Sequence, residues 1–577
     1  MSPFHEPIDE GVRAELAEHD DLIAALLARR GIRTKEAADA FLDPSYDAHL
    51  GDPLLMRDME KGARRIAKAI AEREKIAIWS DYDCDGIPGG VLLHDFLKKA
   101  GADFTNYIPH RHLEGYGVNV SGIGKLAAQG VSLVITVDVG ITDSEAVARA
   151  NELGMDVIVT DHHLPEPEGL PPAYAVIDPK REDETYPFRD FCGAGLAWKL
   201  VTAVLALGRA EGAPWCADIP EGWEKWLLDM AGLATIADMV PLTGENRVIA
   251  KYGLLVMRKS PRLGLQKLCR GMRVNQSALS EDDVGFMVAP RVNAASRMGE
   301  AADAFRLFTT EDEAEADALA KKLEKLNRER RAQAGAITRA AHERLSGRTD
   351  LGSVIVLGDP AWKPSLLGLV ANGIAEEFGR PTFLWGREGS GVLKGSCRGA
   401  GVTHVVELMQ EAKDAFAEFG GHAQSGGFSV KDEEIFSLEE RLTDAHARLL
   451  AKNAERERED RKADAELALS DATPEFLGKL ERLAPFGQMN EKPVFLFREV
   501  SVMRVLRFGK GNEHVKIRFA HADSPVMLEG IAFFAKRALG PAGELLADGD
   551  RVNVLAHIER DQFSRNQSLR LRIVSIA

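Results

Sequence analysis

The residues with the clearest chemical potential are acids and histidines spaced along the first half of the chain. DYDCDG (81–86) sets three carboxylates at alternate positions and closes them with a glycine, one residue behind the apolar run IAIW (76–79). Asp138 and Gly140 follow LVIT (133–136), Asp161, His162 and His163 follow DVIV (156–159), and Asp238 lies in ATIADMVPL (234–242) behind an apolar stretch. DYDCDG alone admits a calcium loop, a catalytic metal site or an acidic turn. An EF-hand loop places ligands at positions 1, 3 and 5, glycine at 6 and a bidentate glutamate at 12. Counted from Asp81, position 12 is Leu92 and position 8 is Pro88, and the preceding segment reads as a strand where that motif requires a helix. The calcium reading fails.

The acidic clusters follow β-rich runs, and parallel strands present their carboxyl ends on one edge, where α/β proteins bind ligands. Such a fold gathers up to four carboxylates and two imidazoles without a thiolate, a donor set suited to manganese or magnesium more than to structural zinc. So many like charges repel strongly without cations. Each element alone is weak, because a DxDxDG turn is as often solvated as metal-binding; their joint placement carries the signal. Two divalent ions bridged by a carboxylate lower the pKa of water and stabilise both the attacking and the leaving oxygens of an in-line displacement at phosphorus. Phosphoester hydrolysis is therefore the expected chemistry. It also needs cationic clamps for the substrate phosphate, which acids cannot supply.

The elements that must position these residues begin near residue 61, where short β-rich runs alternate with helix-like segments: 76–79, 104–109, 133–138, 157–161 and 174–179. This alternation predicts an α/β domain built on a mainly parallel sheet. Residues 1–60 read as helical and polar, with LIAALLAR (22–29) as the main apolar segment and no legible function. In 311–345, Leu319, Leu323, Leu326 and Ile337 recur at helical spacing on a charged background, predicting a long solvated helix that connects two domains. A second α/β region follows, with VIVLGD (354–359), a helix to Phe378, PTFLWG (381–386) and glycine-rich loops around 395 and 421, ending near 450. The run 453–466 reads as a solvated helix or linker. Segments 491–537 and 551–576 alternate with period two, predicting a half-buried antiparallel sheet of about five strands, compatible with a small barrel. Its basic and aromatic neighbours, Arg507 with Phe508 and Arg518 with Phe519, could be core or surface.

A length of 577 residues predicts several domains, and a hydrophobic share of 45% with a charged share of 28% fits a soluble globular chain without a membrane span. MSPFHEPIDE lacks signal-peptide regions, and five scattered cysteines without a CxxC pair indicate neither disulfides nor zinc, so the cytoplasm is expected. The net charge of −16 argues against a polyanionic partner for the chain as a whole. From Glu491 to Ala577, however, 14 Lys or Arg stand against 10 Asp or Glu, so a nucleic-acid footprint would be local.

These residues resemble the DHH phosphoesterase superfamily, and within it the RecJ-type single-stranded-DNA 5′ exonucleases. The resemblance runs through DYDCDG, IPHRHLEGYG (108–117), TVDVG (136–140), TDHH (160–163), ATIADMVPL and APRVNAASRM (289–298). It continues in WKPSLLGLVA (362–371), KGSCRG (394–399) and GGHAQSGGF (420–428), in the family's order. It implies an N-terminal helical extension (1–60), a parallel-sheet DHH catalytic domain (61–305), a connecting helix (306–345), a DHH-associated α/β domain (346–450), and a linker with an OB-like β-barrel that tracks single strands (451–577). It implies that Asp83, Asp85, Asp138, His162 and Asp238 hold two Mn or Mg ions, with Asp138 as the bridge. Asp81 and His163 join Asp138 and His162 in the catalytic set, in supporting or phosphate-facing roles, with Cys84 a small residue packed beneath. Arg111, Arg291, Asn293 and Arg297 are implied to face the substrate strand, and Ser396, Arg398 and His422 to close over its phosphates near the 5′ end.

The resemblance further implies a passage that admits one unpaired strand, hydrolysis of single-stranded DNA from 5′ to 3′ with release of 5′-mononucleotides in repair and recombination, and a monomer working with a helicase and a single-strand-binding protein. The sequence departs from the pattern at Pro88 and Gly89 (usually Thr and Ser), Ser296 (Gly), Lys363 (His), Ser365 (Gly) and Gly399 (Ser), none of them a proposed metal ligand. Two other readings stay open. One is a phosphoesterase of the same superfamily acting on short oligoribonucleotides or cyclic dinucleotides, against which the N-terminal 60 residues and the 127 after position 450 speak. The other is a binding protein that kept the fold and lost the chemistry, against which the full set of acids and histidines speaks.

Overall fold

A computed structural model describes the chain except residues 1–3, 6, 389–390, 453–461, 510, 522–523, 536–538, 540–545, 562–567 and 577. It divides into two compact units, residues 1–324 with 462–577 and residues 325–461. The division falls within the 34-residue helix Glu313–Ser346, in which Leu319, Leu323, Leu326 and Ile337 are buried at the predicted spacing.

The first unit contains a five-stranded sheet of β1 (Lys75–Ser80), β2 (Asp103–Tyr107), β3 (Leu133–Val137), β4 (Asp156–Thr160) and β5 (Ala175–Ile177). The order is β2-β1-β3-β4-β5 and every pairing is parallel. Strands β1, β3, β4 and β5 are short and mainly apolar because both sheet faces are covered there, whereas the edge strand β2, DFTNY, has no buried residue. Ile76 and Ile78 of β1 enter one hydrophobic cluster while Ala77 and Trp79 enter the other, and β3 and β4 alternate in the same way. Strand order reverses between β1 and β3, which opens a crevice at their carboxyl ends. The acids follow these two strands.

In the second unit, β6 (Ile355–Gly358), β7 (Thr382–Glu388), β8 (Val392–Arg398), β9 (Phe416–His422) and β10 (Ser425–Val430) form a mixed sheet in the order β6-β7-β8-β10-β9. The glycines near 395 and 421 therefore lie in strands, correcting the expected loops. At Gly395 the reason is space, since a Cβ there would meet the Phe428 ring at 2.1 Å.

The first unit also holds the barrel. Strands β12 (Phe495–Phe508), β13 (His514–His521), β14 (Ser524–Ala532), β15 (Arg551–Arg560) and β16 (Leu569–Ile576) form a ring closed by the β12–β15 pairing, and a short β11 (Ala465–Glu466) adds to β12. One seam departs from the expected antiparallel sheet: β14 and β16 run parallel, as do β11 and β12. Phe519 is fully buried inside the barrel, so period-two alternation put it in the core while its neighbour Arg518 faces Glu529 outside. Phe508 remains partly exposed and packs edge-on against His514. Of the run 453–466, residues 453–461 lie outside the described residues.

The N-terminal helices Asp21–Arg29 and Lys35–Leu42, capped by Asp20 and Thr34, share one hydrophobic cluster with the barrel: Leu26, Leu27, Phe41 and Leu42 pack with residues such as Phe495, Phe497 and Leu483. The N-terminal segment thus covers apolar surface that the barrel alone would leave wet. No helix among the described residues is long and apolar enough to cross a membrane.

Arg247 clasps three segments of the first unit. It is 1% exposed, lies 3.6 Å over the Phe41 ring, and donates to the carbonyls of Phe41 (2.6 Å) and Ala484 (3.0 Å). Removing it strands those carbonyls without water. Arg247→Met is expected to lower stability by about 3 kcal/mol, measured as an earlier urea-induced unfolding transition; an unshifted transition would contradict this clasp.

Candidate metal centre

The loop after β1 is built before any ion is considered. The Asp81 N–H donates to the Val137 carbonyl (3.1 Å), joining the loop to β3. Asp83 Oδ1 accepts the N–H groups of Asp85 (2.8 Å) and Gly86 (3.2 Å), which curls DYDCDG into the helix Gly86–Lys99. Gly86 serves close packing and not an unusual φ, because a Cβ would lie 2.5 Å from the Asp81 carbonyl oxygen. Cys84 is buried in the core, and its N–H donates to Asn293 Oδ1 at 2.9 Å.

Asp85 is held by a helix that packs beside its own. Its two oxygens accept the N–H groups of Gly193 (2.6 Å) and Ala194 (2.7 Å) at the start of the 18-residue helix Gly193–Ala210, where a helix favours negative charge. Asp138 follows β3 with φ of +63°, a left-handed conformation that aspartate tolerates better than most residues. Tyr116 Oη donates to the Asp138 carbonyl at 3.1 Å. Asp238 is the C-cap of the helix Leu228–Ala237.

The side chains converge on His162 Nε2, which stands 3.1 Å from Asp138 Oδ1, 3.6 Å from Asp85 Oδ2 and 3.7 Å from Asp238 Oδ2. Three sets of donor atoms each fall within 4.8 Å: Asp85 with His162 and Asp238; Asp81 with Asp83 and Asp138; and Asp138 with His162 and His163. Asp138 belongs to two of them. Asp161 accepts the N–H groups of Ile141, His162 and His163 and sits 2.8 Å from His163 Nδ1, which fixes the orientation of that ring.

Burial raises the pKa of Asp138, with the charges of Asp85, Asp83, Asp81 and Asp238 adding to it. Burial and then Asp83 raise Asp81, and burial with Asp85 and Asp83 raises Asp238. Asp85 is pushed up to about 6 by burial and then by Asp83, against its two N–H partners. For Asp161, burial acts upward but the contact with His163 and the other favourable contacts outweigh it, and its pKa is lowered. The donors fit divalent ions: they are oxygen and nitrogen ligands, and the buried Asp81 Oδ1 and Asp138 Oδ1 accept no hydrogen bond among the described residues.

The residues expected to meet substrate are placed less uniformly. The Arg111 guanidinium lies 4.8 Å over the Tyr82 ring. Arg291 is 7% exposed and is bound to Glu324 (2.6 Å) and the Met287 carbonyl (2.7 Å), so it braces its helix, Ala289–Met298, where a strand-facing position was expected. Asn293 supports the DYDCDG loop, and Arg297 is half-buried on the same helix. In the second unit, Ser396 and Arg398 alternate on β8, and Arg398 is in register with Ser425, itself in register with His422. The departures have local explanations. A Cβ at Gly89 would meet Val137 Cγ1 at 2.5 Å, and one at Gly399 would meet Gln424 Oε1 at 2.3 Å. Pro88 occupies the first turn of its helix, Ser296 is buried with its hydroxyl 3.3 Å from the Asn293 carbonyl, Ser365 is buried, and Lys363 is an exposed N-cap.

Sequence reasoning missed the Gly193 and Ala194 amides, although the glycines of CGAGLAW ahead of an apolar helix were a usable signal. It also missed Tyr116, whose motif was read only for Arg111.

Raised acid pKa values have a definite sign. The stability they contribute is complete below the unfolded carboxylate value near 4 and is lost as pH rises through the folded values, such as the 6 or so of Asp85. Divalent ions offset that loss. The rise in thermal midpoint on adding manganese to metal-free protein is therefore expected to be larger at pH 8 than at pH 5.5, as followed by differential scanning fluorimetry; an equal rise at both would contradict the carboxylate assignment.

Comparison with known proteins agrees with this geometry. Residues 75–232 match the DHH family N-terminal domain, 351–452 the DHHA1 domain and 463–575 the RecJ OB domain. The chain is 35% identical over 561 residues to the single-stranded-DNA-specific exonuclease RecJ of Bacillus subtilis (strain 168), covering 96% of this chain and 68% of the relative. It is 30% identical over 579 residues to RecJ of Escherichia coli (strain K12), covering 97% and 96%. The crystal structure of RecJ in complex with Mn2+ from Thermus thermophilus superposes with a TM-score of 0.78 at 28% identity, covering 98% of this chain and 77% of that one. A structure of exonuclease RecJ bound to manganese gives a TM-score of 0.58 at 33% identity, covering 70% and 96%. With these relatives matched over nearly its full length, the chain belongs to the RecJ family of DHH phosphoesterases.

Proposed function

We propose that this chain is a metal-dependent exonuclease that hydrolyses single-stranded DNA from the 5′ end, releases 5′-mononucleotides and serves repair and recombination. The observation that carries the reading is the sharing of Asp138 between two donor sets at the edge of the parallel sheet. Asp81, Asp83 and Asp138 would hold one divalent ion and Asp85, His162 and Asp238 the other, with Asp138, which also joins His162 and His163 in a donor set and lies 3.1 Å from His162 Nε2, as the bridge this reading assigns between them. When bound, such ions supply Lewis-acid stabilisation of the charge that develops in an in-line displacement at phosphorus.

The chain's own residues do the positioning. The Gly193 and Ala194 amides keep the Asp85 carboxylate turned toward the centre, and Tyr116 restrains the Asp138 backbone. Asp161 accepts from His163 Nδ1 and leaves Nε2 for the ion or a phosphate oxygen. Arg111 and Arg297 are the cations on the first unit that the reading assigns to the strand, and Ser396, Arg398 and His422 are the residues on the second unit that it assigns to the 5′ phosphates. The barrel supplies a further single-strand surface, for which its local excess of basic residues speaks. The same reading assigns the enzyme to the cytoplasm as a monomer, taking substrate from a helicase and a single-strand-binding protein.

The direct test incubates the protein with manganese or magnesium and end-labelled single-stranded DNA, duplex DNA, RNA or a dinucleotide. Early release of 5′ label as mononucleotide from single-stranded DNA supports the proposal, and hydrolysis of dinucleotides alone, or binding without cleavage, overturns it. Asp138→Ala is expected to reduce hydrolysis to below about 1% of wild type with an unchanged circular dichroism spectrum; activity above a few percent would remove Asp138 from the bridging role.

A further inference from the structure

β5 ends at Ile177, and the chain turns at once through Asp178, Pro179, Lys180 and Arg181. This turn stands beside the metal centre. Thr160 and Ile177 are in register between β4 and β5, and the Asp161 N–H donates to the Ile177 carbonyl at 3.2 Å. The turn is closed by Asp178, whose Oδ1 accepts the Lys180 N–H at 2.7 Å and whose carbonyl accepts the Arg181 N–H at 3.3 Å.

The two adjacent cations are treated differently. Arg181 is 8% exposed and is neutralised by Asp183 (2.6 Å) and Asp58 (3.2 Å), with a further bond to the Val176 carbonyl. Lys180 is half-buried, and its ammonium has no ion pair among the described residues. The register of β5 with β4 and the bond from the Asp161 N–H to the Ile177 carbonyl carry this turn, and Lys180 with it, to the sheet edge that holds His162 and His163. An unpaired cation in a chain of net charge −16, beside acids that are to be neutralised by ions, is free to meet an anion from solution. The anion brought to that edge is a phosphate of the strand being cleaved.

We propose that Lys180 is a substrate-binding residue whose ammonium contacts a backbone phosphate next to the scissile bond. This rests on the nuclease reading above. A lysine suits the task as a mobile point charge that can follow a flexible single strand, and a contact to phosphate carries no base preference.

The test compares wild-type protein, Lys180→Met and Lys180→Arg, all full-length, for binding of fluorescent single-stranded DNA by anisotropy, with calcium replacing manganese to prevent turnover. Manganese affinity by calorimetry and the KM and kcat of cleavage are measured alongside. Lys180→Met is expected to weaken binding several-fold regardless of sequence and to flatten the slope of log affinity against log salt by about 0.7. KM should rise while kcat stays within about twofold, and Lys180→Arg should recover most of the loss. Unchanged affinity and slope would overturn the proposal. So would a change confined to manganese affinity, which would make Lys180 a counter-charge to the acids. Wild-type protein that neither binds nor cleaves single-stranded DNA would instead overturn the nuclease reading on which the proposal rests. If Lys180→Met fails to fold, Lys180→Gln takes its place in the same comparison.

Discussion

The constraint on which the rest depends is the mutual repulsion of carboxylates at one edge of the parallel sheet. Asp81, Asp83, Asp85, Asp138 and Asp238 supply oxygens to overlapping donor sets, and all but Asp83 and Asp238 are buried. Like charges 4 Å apart near a protein surface repel by about 4 kcal/mol, whereas a whole domain is stable by about 5 to 15 kcal/mol. Several such pairs left uncompensated would consume that margin. The fold does not remove the charges. It directs peptide dipoles at them, through the Gly193 and Ala194 amides at Asp85 and the amides at Asp83 and Asp161, and leaves oxygens on Asp81 and Asp138 for cations.

Placement of the acids follows from topology. With β1 and β3 adjacent and the order reversing between them, their first following residues, Asp81 and Asp138, must stand at the mouth of the crevice. Parallel pairing of β4 brings Asp161, His162 and His163 to the same edge, and β5 brings Asp178 and Lys180. Asp238 arrives differently, at the end of a helix, and its neighbour Leu242 is tied by its N–H to the Gln488 carbonyl at 2.9 Å, ahead of the barrel. The barrel is thus joined to the segment that follows Asp238, a proposed ligand, and through Arg247 to the N-terminal helices.

Much of this was legible in the sequence because it depends on short range. Four or five apolar residues followed at once by an acid announce a buried strand and a residue at its carboxyl end, which located Asp81, Asp138 and Asp161. Helical spacing located Leu319 to Ile337. What was not legible depends on partners distant in the chain: Asn293 bonding Cys84, Gly193 and Ala194 bonding Asp85, and Glu324 lying against Arg291 where a substrate phosphate was expected. Composition also misled locally. Glycines near 395 and 421 suggested loops, but strands approaching an aromatic ring or another backbone need glycine for space. The pairing of Arg518 with Phe519 left core and surface open, and the alternation of β13 turned the phenylalanine inward.

The carboxylate edge, as proposed, is a site for two cations sharing Asp138. Calorimetric titration of metal-free protein with manganese tests this most directly. Two equivalents are expected to bind per chain, with Asp138→Asn weakening both. One equivalent, or two that remain unaffected by Asp138→Asn, would contradict it.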